Sequence, residues 1–419
     1  MSRLRRLVEF LGLRRSIVGL LTMAVLVGMG ERMGERFLPL YLLALGGGLL
    51  SVGFLGGMDN LLSALYSFPG GYLAERLGVK RALLLFNLMA MAGFLLVILV
   101  PAWWAVLAGA ALFIAWTAIS LPATMGLVAR ALPKQKRTMG VSMHSLVRRI
   151  PMALGPVVGG ACIDAWGVTT GIRTAFAAAL LLAAIAAGLQ QALIETDAPH
   201  DRSPGALQAP EKNPLRLLRR MGPDLRDLLI SDILIRFCEQ IPYALVVVWC
   251  TMTIAAPVTK LQFGLLTSIE MATAMLVYVP VAYFADRTRK KPFVLMTFIF
   301  FTAFPLVLLF SRSFAALAVA FTVRGLKEFG EPTRKALIMD LAPEDRKAAT
   351  FGVYYLVRDV VVSAAAFGGA LLWMLGPEVN LLTASAFGAA GTVWFAWRGR
   401  DLGRIDLTLP PQNPKSAPS

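Results

Sequence analysis

GGMDNLLSALYSFPGGYLAERLGVKR, residues 56–81, and TSIEMATAMLVYVPVAYFADRTRKK, residues 267–291, are two copies of one segment. They align without gaps. Asp59 meets Glu270, Pro69 meets Pro280, Glu75 meets Asp286 and Arg76 meets Arg287, all at one offset, since 270 − 59 = 211. The register continues at 332 − 122 = 210, with Pro122 opposite Pro332 and Pro133 opposite Pro343. Earlier in the chain, Pro39 has a counterpart in Pro242. Chance supplies one such pair, but not an ordered series. Each copy is an apolar run that holds an acid and closes on a basic cluster. The chain is therefore two repeats of one helical plan.

Composition says what the helices cross. Of 419 residues, 57% are hydrophobic and only 16% charged. A soluble domain carries about 45–50% apolar and about 25% charged residues, so a soluble chain this apolar would have nowhere to hide the surplus. Lipid removes that difficulty. The net charge of +16 does not read as nucleic-acid binding, because the basic residues cluster between apolar runs, as the positive-inside rule requires. Cys162, Cys238 and Cys250 lie in apolar segments without metal-ligand spacing, and His144 and His200 are isolated. No metal site and no cofactor are expected. The basic start (Arg3, Arg5, Arg6, Arg14, Arg15) precedes a run too long for a signal peptide.

A helix needs about 20 apolar residues to cross the hydrocarbon core. Twelve segments qualify, near 17–44, 50–74, 82–101, 103–130, 139–164, 170–194, 226–254, 261–285, 292–311, 313–340, 349–375 and 378–397. Alternate linkers are basic: Arg76/Lys80/Arg81, Arg130/Lys134/Lys136/Arg137, the 195–226 loop, Arg287/Arg289/Lys290/Lys291, Arg346/Lys347 and the tail. The others are short and nearly uncharged. The basic set is expected in the cytoplasm, with both termini, and the protein in the cytoplasmic (inner) membrane. The organisation expected is a six-helix bundle over 1–194, a cytoplasmic linker over 195–225, a second bundle over 226–400 and a cytoplasmic tail over 401–419. A parallel repeat of this kind places a substrate site between its halves near the midplane.

The stretch Gly71-Tyr72-Leu73-Ala74-Glu75-Arg76-Leu77-Gly78-Val79-Lys80-Arg81 resembles the loop 2–3 signature of the major facilitator superfamily, with Glu75 where Asp is usual. Its second copy, Ala282 to Lys291, restores the acid as Asp286 but loses both glycines. The resemblance implies an all-α integral membrane fold, twelve transmembrane helices in two pseudo-symmetric six-helix bundles, and transport by alternating access. Gly71, Glu75, Arg76, Gly78, Asp286 and Arg287 are expected to form a conformational latch. Small residues let the helices approach, and the acid can pair with an arginine or a helix N-terminus.

Buried charge costs on the order of 2.5–3.5 kcal/mol per residue in a bilayer, so such side chains should face a cavity or one another. Spans three, six, nine and twelve carry almost none. The rest hold Glu31, Arg32, Glu35, Asp59, Arg148, Arg149, Arg236, Glu239, Glu270, Arg324, Lys327, Glu328, Glu331, Arg358 and Asp359. Arg324, Lys327, Glu328 and Glu331 recur at spacings of three and four and are expected on one helical stripe, interrupted near Gly330 and Pro332. Removal from water favours the neutral form of a carboxylate, which makes Glu31, Asp59, Glu270 and Glu328 the proton-coupling candidates. The substrate-binding candidates are Glu35, Arg148, Arg149, Arg236, Glu239, Arg324, Lys327, Glu331, Arg358 and Asp359. Any one of these can equally be a structural ion pair.

Gly155-Pro156-Val157-Val158-Gly159-Gly160 resembles the GPxxGG motif on span five of many antiporters of the superfamily, which implies export in exchange for protons. Close helix packing explains the same glycines. Glu31-Arg32-Met33-Gly34-Glu35-Arg36 resembles the ExxER motif of proton-coupled peptide transporters, but its glutamates are four apart rather than three. No GxxxxGK[ST] is present, so ATP is not expected to drive transport from within this chain. A membrane enzyme would need a nucleophile or metal cluster, which two lone histidines do not supply. The expectation is a monomeric secondary active transporter moving a small polar or charged solute with protons, by export. The alternatives are proton-coupled uptake and a non-transport sensor or scramblase on the same fold.

Overall fold

The computed structural model describes residues 15–113, 137–194, 218, 221–285, 289–343 and 347–400. Among them every regular element is helical. Span 1 is Arg15–Glu35 continued by Leu38–Ala44, span 2 is Gly48–Leu77, span 3 is Val79–Leu99, and span 4 begins with Trp103–Phe113. Spans 5 and 6 are Arg137–Trp166 and Val168–Leu193. Span 7 is Pro223–Tyr243 continued by Val246–Val248 and a π-helical turn, Trp249–Thr253. Span 8 is Lys260–Ala285, span 9 is Lys291–Phe310, and span 10 is Phe314–Leu326 continued by Glu331–Leu341. Spans 11 and 12 are Lys347–Leu375 and Pro377–Arg398. Helix is what lipid demands, since a helix satisfies its own backbone hydrogen bonds.

All twelve expected positions are occupied by helix, with ends within a few residues of the expected ones wherever they are described. Spans 2, 3, 6, 9, 11 and 12 each contain a helix long and apolar enough to cross a bilayer, and bent span 7 (43°) makes a seventh. The others fall short for identifiable reasons. Spans 1 and 10 are broken and charged, and the side chains of spans 4, 5 and 8 are described only in part. The breaks follow proline. Pro39 starts the second piece of span 1 and Pro242 ends the first piece of span 7, so the two matched prolines mark matched interruptions. Pro332 restarts span 10 after a turn over residues 327–330.

The halves repeat in space as they do in sequence. Span 1 packs on 5 and 6, span 3 on 4 and 6, and 5 on 6; correspondingly, 7 packs on 11 and 12, 9 on 10 and 12, and 11 on 12. The broad contacts between halves are span 2 with 11 and span 5 with 8, which the repeat exchanges with each other. Both lie toward the end of the molecule that carries the short loops. There Gly53 and Gly57 let span 2 lie against Ala370 and Phe367, and Gly264 lets span 8 lie against the Pro156 carbonyl. Gly167 alone joins spans 5 and 6, with φ +78°, a conformation that favours glycine. Gly376 alone joins their counterparts, spans 11 and 12.

Candidate functional site: charges and a cavity between the halves

The buried charges gather where spans 7, 8, 10 and 11 meet. Glu270, 1% exposed, receives Arg324 Nε at 3.3 Å and Lys327 Nζ at 3.5 Å. Lys327 also donates to Glu239 at 2.7 Å, and Glu239 takes Arg236 at 2.6 Å. Arg236 reaches Glu331 at 3.5 Å, and Glu331 binds Arg334 through two bonds, 2.7 and 3.0 Å long. Asp232, 1% exposed, closes the chain: Arg334 pairs with it, Arg358 lies 3.4 Å away, and Tyr354 Oη donates at 3.1 Å. Arg358 also pairs with Asp359 at 2.7 Å and lies over the Tyr355 ring. A buried charge left alone is expensive, and this ladder pairs each member with an opposite charge.

The first half contributes fewer groups. Glu35 binds Arg32 at 2.7 Å. Glu31 is buried within electrostatic reach of Arg32 and the half-buried Arg148. Arg149 crosses to the second half and donates to Glu328 at 3.1 Å. Between the halves lies a cavity of about 50 Å³, lined by Glu35, Arg36, Asp59, Tyr243, Phe263 and Arg324 among others. That is room for a few water molecules, not for a solute, so loading requires the halves to move. A smaller void of about 10 Å³ lies between Glu239, Phe301, Arg324 and Lys327.

One expectation is corrected. Arg324, Lys327, Glu328 and Glu331 do not all share a stripe. The helix stops at Leu326 and resumes at Glu331, and the intervening turn changes the directions in which they point. Arg324 and Lys327 face Glu270, and Glu331 joins the same ladder through Arg236 and Arg334, while Glu328 alone of the four turns to Arg149 across the seam. Asp59 is the twelfth residue of span 2, which begins at Gly48.

The glycines of GPVVGG form a packing surface. A Cβ on Gly155 would meet Arg32, one on Gly159 would fall on the Met33 carbonyl, and one on Gly160 on the Lys260 carbonyl. The segment therefore seats span 5 on span 1 and on span 8 of the other half. In the expected latch, Gly78 joins spans 2 and 3 with φ +81°, and Arg76 is exposed. Gly71 lies within span 2, while the Glu75 side chain, and Asp286 and Arg287 entirely, lie outside the described residues.

Sequence reasoning passed over several participants. Asp232 lies four residues before Arg236, and Arg334 three after Glu331, so helical spacing could have extended the polar set by one turn each way. Arg36, four residues after Arg32, stood within reach of the same spacing; Tyr243 and Asp164 gave no such signal. Asp164, at the end of span 5, accepts from the backbone N–H groups of Lys260 at 3.1 Å and Leu261 at 2.8 Å. It thus caps span 8 of the opposite half.

Two repeated bundles of membrane-crossing helices, with charge and a cavity at their seam, define a multi-pass integral membrane transporter. The chain belongs to the Major Facilitator Superfamily, whose family model matches residues 20–256 and again 228–416. It is accordingly a secondary transporter and not an enzyme. No curated protein matches it. Among solved structures, a peptide transporter POT in complex with sulfate is similar over 92% of this chain and 94% of that one, with TM-score 0.72 and 14% identity. A bacterial homolog of the human lysosomal transporter Spinster, inward-facing and unoccupied, matches over 92% and 98%, with TM-score 0.66 and 12% identity. The nucleoside transporter NupG matches over 92% and 100%, with TM-score 0.74 and 12% identity. At such identities the likeness concerns the fold alone.

Proposed function

We propose that the protein is a proton-coupled secondary transporter that exports a small polar or charged solute in exchange for protons. The rocking units are residues 1–194 and 226–400, joined by a cytoplasmic linker over 195–225. The chain works as a monomer in the cytoplasmic membrane, with both termini and the 401–419 tail inside. The loop between spans 2 and 3, with its copy at Asp286 and Arg287, latches one state.

One observation carries the coupling. Glu270 is buried behind Arg324, a residue of the cavity wall, with Oε1 on Arg324 and Lys327, while Oε2 has no hydrogen-bond partner among the described residues. An oxygen of this kind has room for a proton, and protonation would loosen both cations. Glu31, Asp59 and Glu328 are the other carriers proposed. Export rests on the GPVVGG segment, which sits on the seam the two halves must open. Proton-coupled uptake is favoured by one contact: Glu270 occupies Arg324, so a proton on Glu270 and an anionic solute at Arg324 would arrive together.

The test is proton movement in proteoliposomes during solute flux. Protons moving against the solute establish exchange, and protons moving with it establish the uptake reading. Replacing Glu270, Glu31 or Glu328 by Gln should abolish the proton signal if that residue is the carrier. Unchanged coupling in all of these and in Asp59→Asn would refute the proposal.

A further inference from the structure

Two guanidiniums from opposite halves converge on the central cavity. Arg36, at the break of span 1, lies 5.1 Å from the centre of the Tyr243 ring. Arg324, from span 10, lies 5.4 Å from the same ring, and is also held over Phe304 at 5.0 Å and Phe321 at 5.7 Å. Both arginines line the cavity. Their ion pairing is incomplete. Arg324 meets Glu270 through Nε at 3.3 Å, and Arg36 has no carboxylate within 4.0 Å among the described residues. Both guanidiniums thus belong to the cavity wall, with aromatic rings beside them.

We infer that Arg36 and Arg324, both beside the Tyr243 ring, form the docking point for a carboxylate group of the transported solute. A guanidinium fork matches a planar oxyanion and binds it more strongly than a neutral group. Aromatic stacking fixes the fork before the solute arrives, which lowers the ordering cost of binding. The position also explains how binding reaches the moving parts. A carboxylate held by both arginines touches one residue of each half, so it favours the arrangement in which the two come together. Such differential contact is what lets a ligand shift a conformational equilibrium. Tyr243 sits at the end of the first piece of span 7, where a change of bend would move the ring and both cations with it. The inference names the solute class for the cavity of the proposed transporter. It rests on alternating access and not on the direction of transport.

The experiment uses the full-length protein in nanodiscs. Acetate, lactate, succinate and glutamate are compared with acetamide, lactamide and succinamide by thermal shift and by titration. At least one acid should stabilise the wild type where its amide does not. Arg36→Gln and Arg324→Gln should each weaken that acid about tenfold or more, as expected for loss of a hydrogen bond to a charged group. Arg36→Lys should restore only part of it, since ammonium keeps the charge but not the fork. Should a variant fail to fold, phenylglyoxal modification of wild-type Arg36, read by peptide mass spectrometry, serves instead: the acid should slow it and the amide should not. Failure of every acid to stabilise the protein or protect Arg36, or equal effects of acids and amides, overturns the inference. Proton-coupled flux of a neutral or cationic solute would then leave the transporter reading standing without it.

Discussion

Replacing Asp164 by Ala tests whether the short-loop end is held shut by a bond between the halves. Asp164 ends span 5, while the two N–H groups it accepts from, Lys260 and Leu261, begin span 8. Within a single helix, loss of an N-cap side chain costs about 1 kcal/mol. Here the cap and the helix belong to different bodies. The loss therefore falls only on the state in which those bodies touch at this end, and about 1 kcal/mol corresponds to a roughly fivefold shift toward opening. Asp164 is exposed, so water replaces the lost acceptor and a larger effect is not expected. Spin labels on Trp104→Cys and Met252→Cys, exposed positions near the short-loop end in opposite halves, report the separation once Cys162, Cys238 and Cys250 are replaced. The Asp164→Ala protein should show the longer-distance population enriched about fivefold, with Asp164→Asn in between. An unchanged distance distribution in a folded Asp164→Ala protein would falsify the idea that this cap gates the molecule.

Three further outcomes follow from the same structure. Asp232→Ala removes the carboxylate shared by Arg334 and Arg358, which keep Glu331 and Asp359, so it should lower stability by less than the about 3–5 kcal/mol of a buried charge left wholly unpaired; thermal unfolding in detergent reads it, and a melting temperature within error of wild type would show that Asp232 is dispensable to the ladder. Arg149→Glu and Glu328→Arg should each depress transport, and the double exchange should restore much of it, because the pair spans the seam; at 18% and 23% exposure the coupling in a double-mutant cycle should be only about 1 kcal/mol. Gly159→Leu should lower folded yield and abolish transport, because the Met33 carbonyl occupies the place of a Cβ; a well-folded, active variant would mean the two helices are not closely seated.

What the sequence by itself determined is everything that depends on local pattern. Apolar length placed the twelve spans, because a bilayer imposes one length on every crossing. The ordered offset of Asp59 with Glu270 and Pro69 with Pro280 fixed the two halves, and Gly330 with Pro332 marked the break in span 10, because proline and glycine act on their own backbone. Tertiary structure alone decided who pairs with whom. Glu239 finds Lys327 88 residues away, Arg149 finds Glu328 at 179, and Asp164 finds the start of span 8 at 96. Spacing of three and four put Arg324 through Glu331 on one face, yet across the turn at residues 327–330 Glu328 leaves the ladder that Arg324, Lys327 and Glu331 share and pairs with Arg149 of the other half. The rotation of a helix about its axis and the bend at its breaks are set by packing against neighbours far off in the chain, and single-helix periodicity holds no record of either.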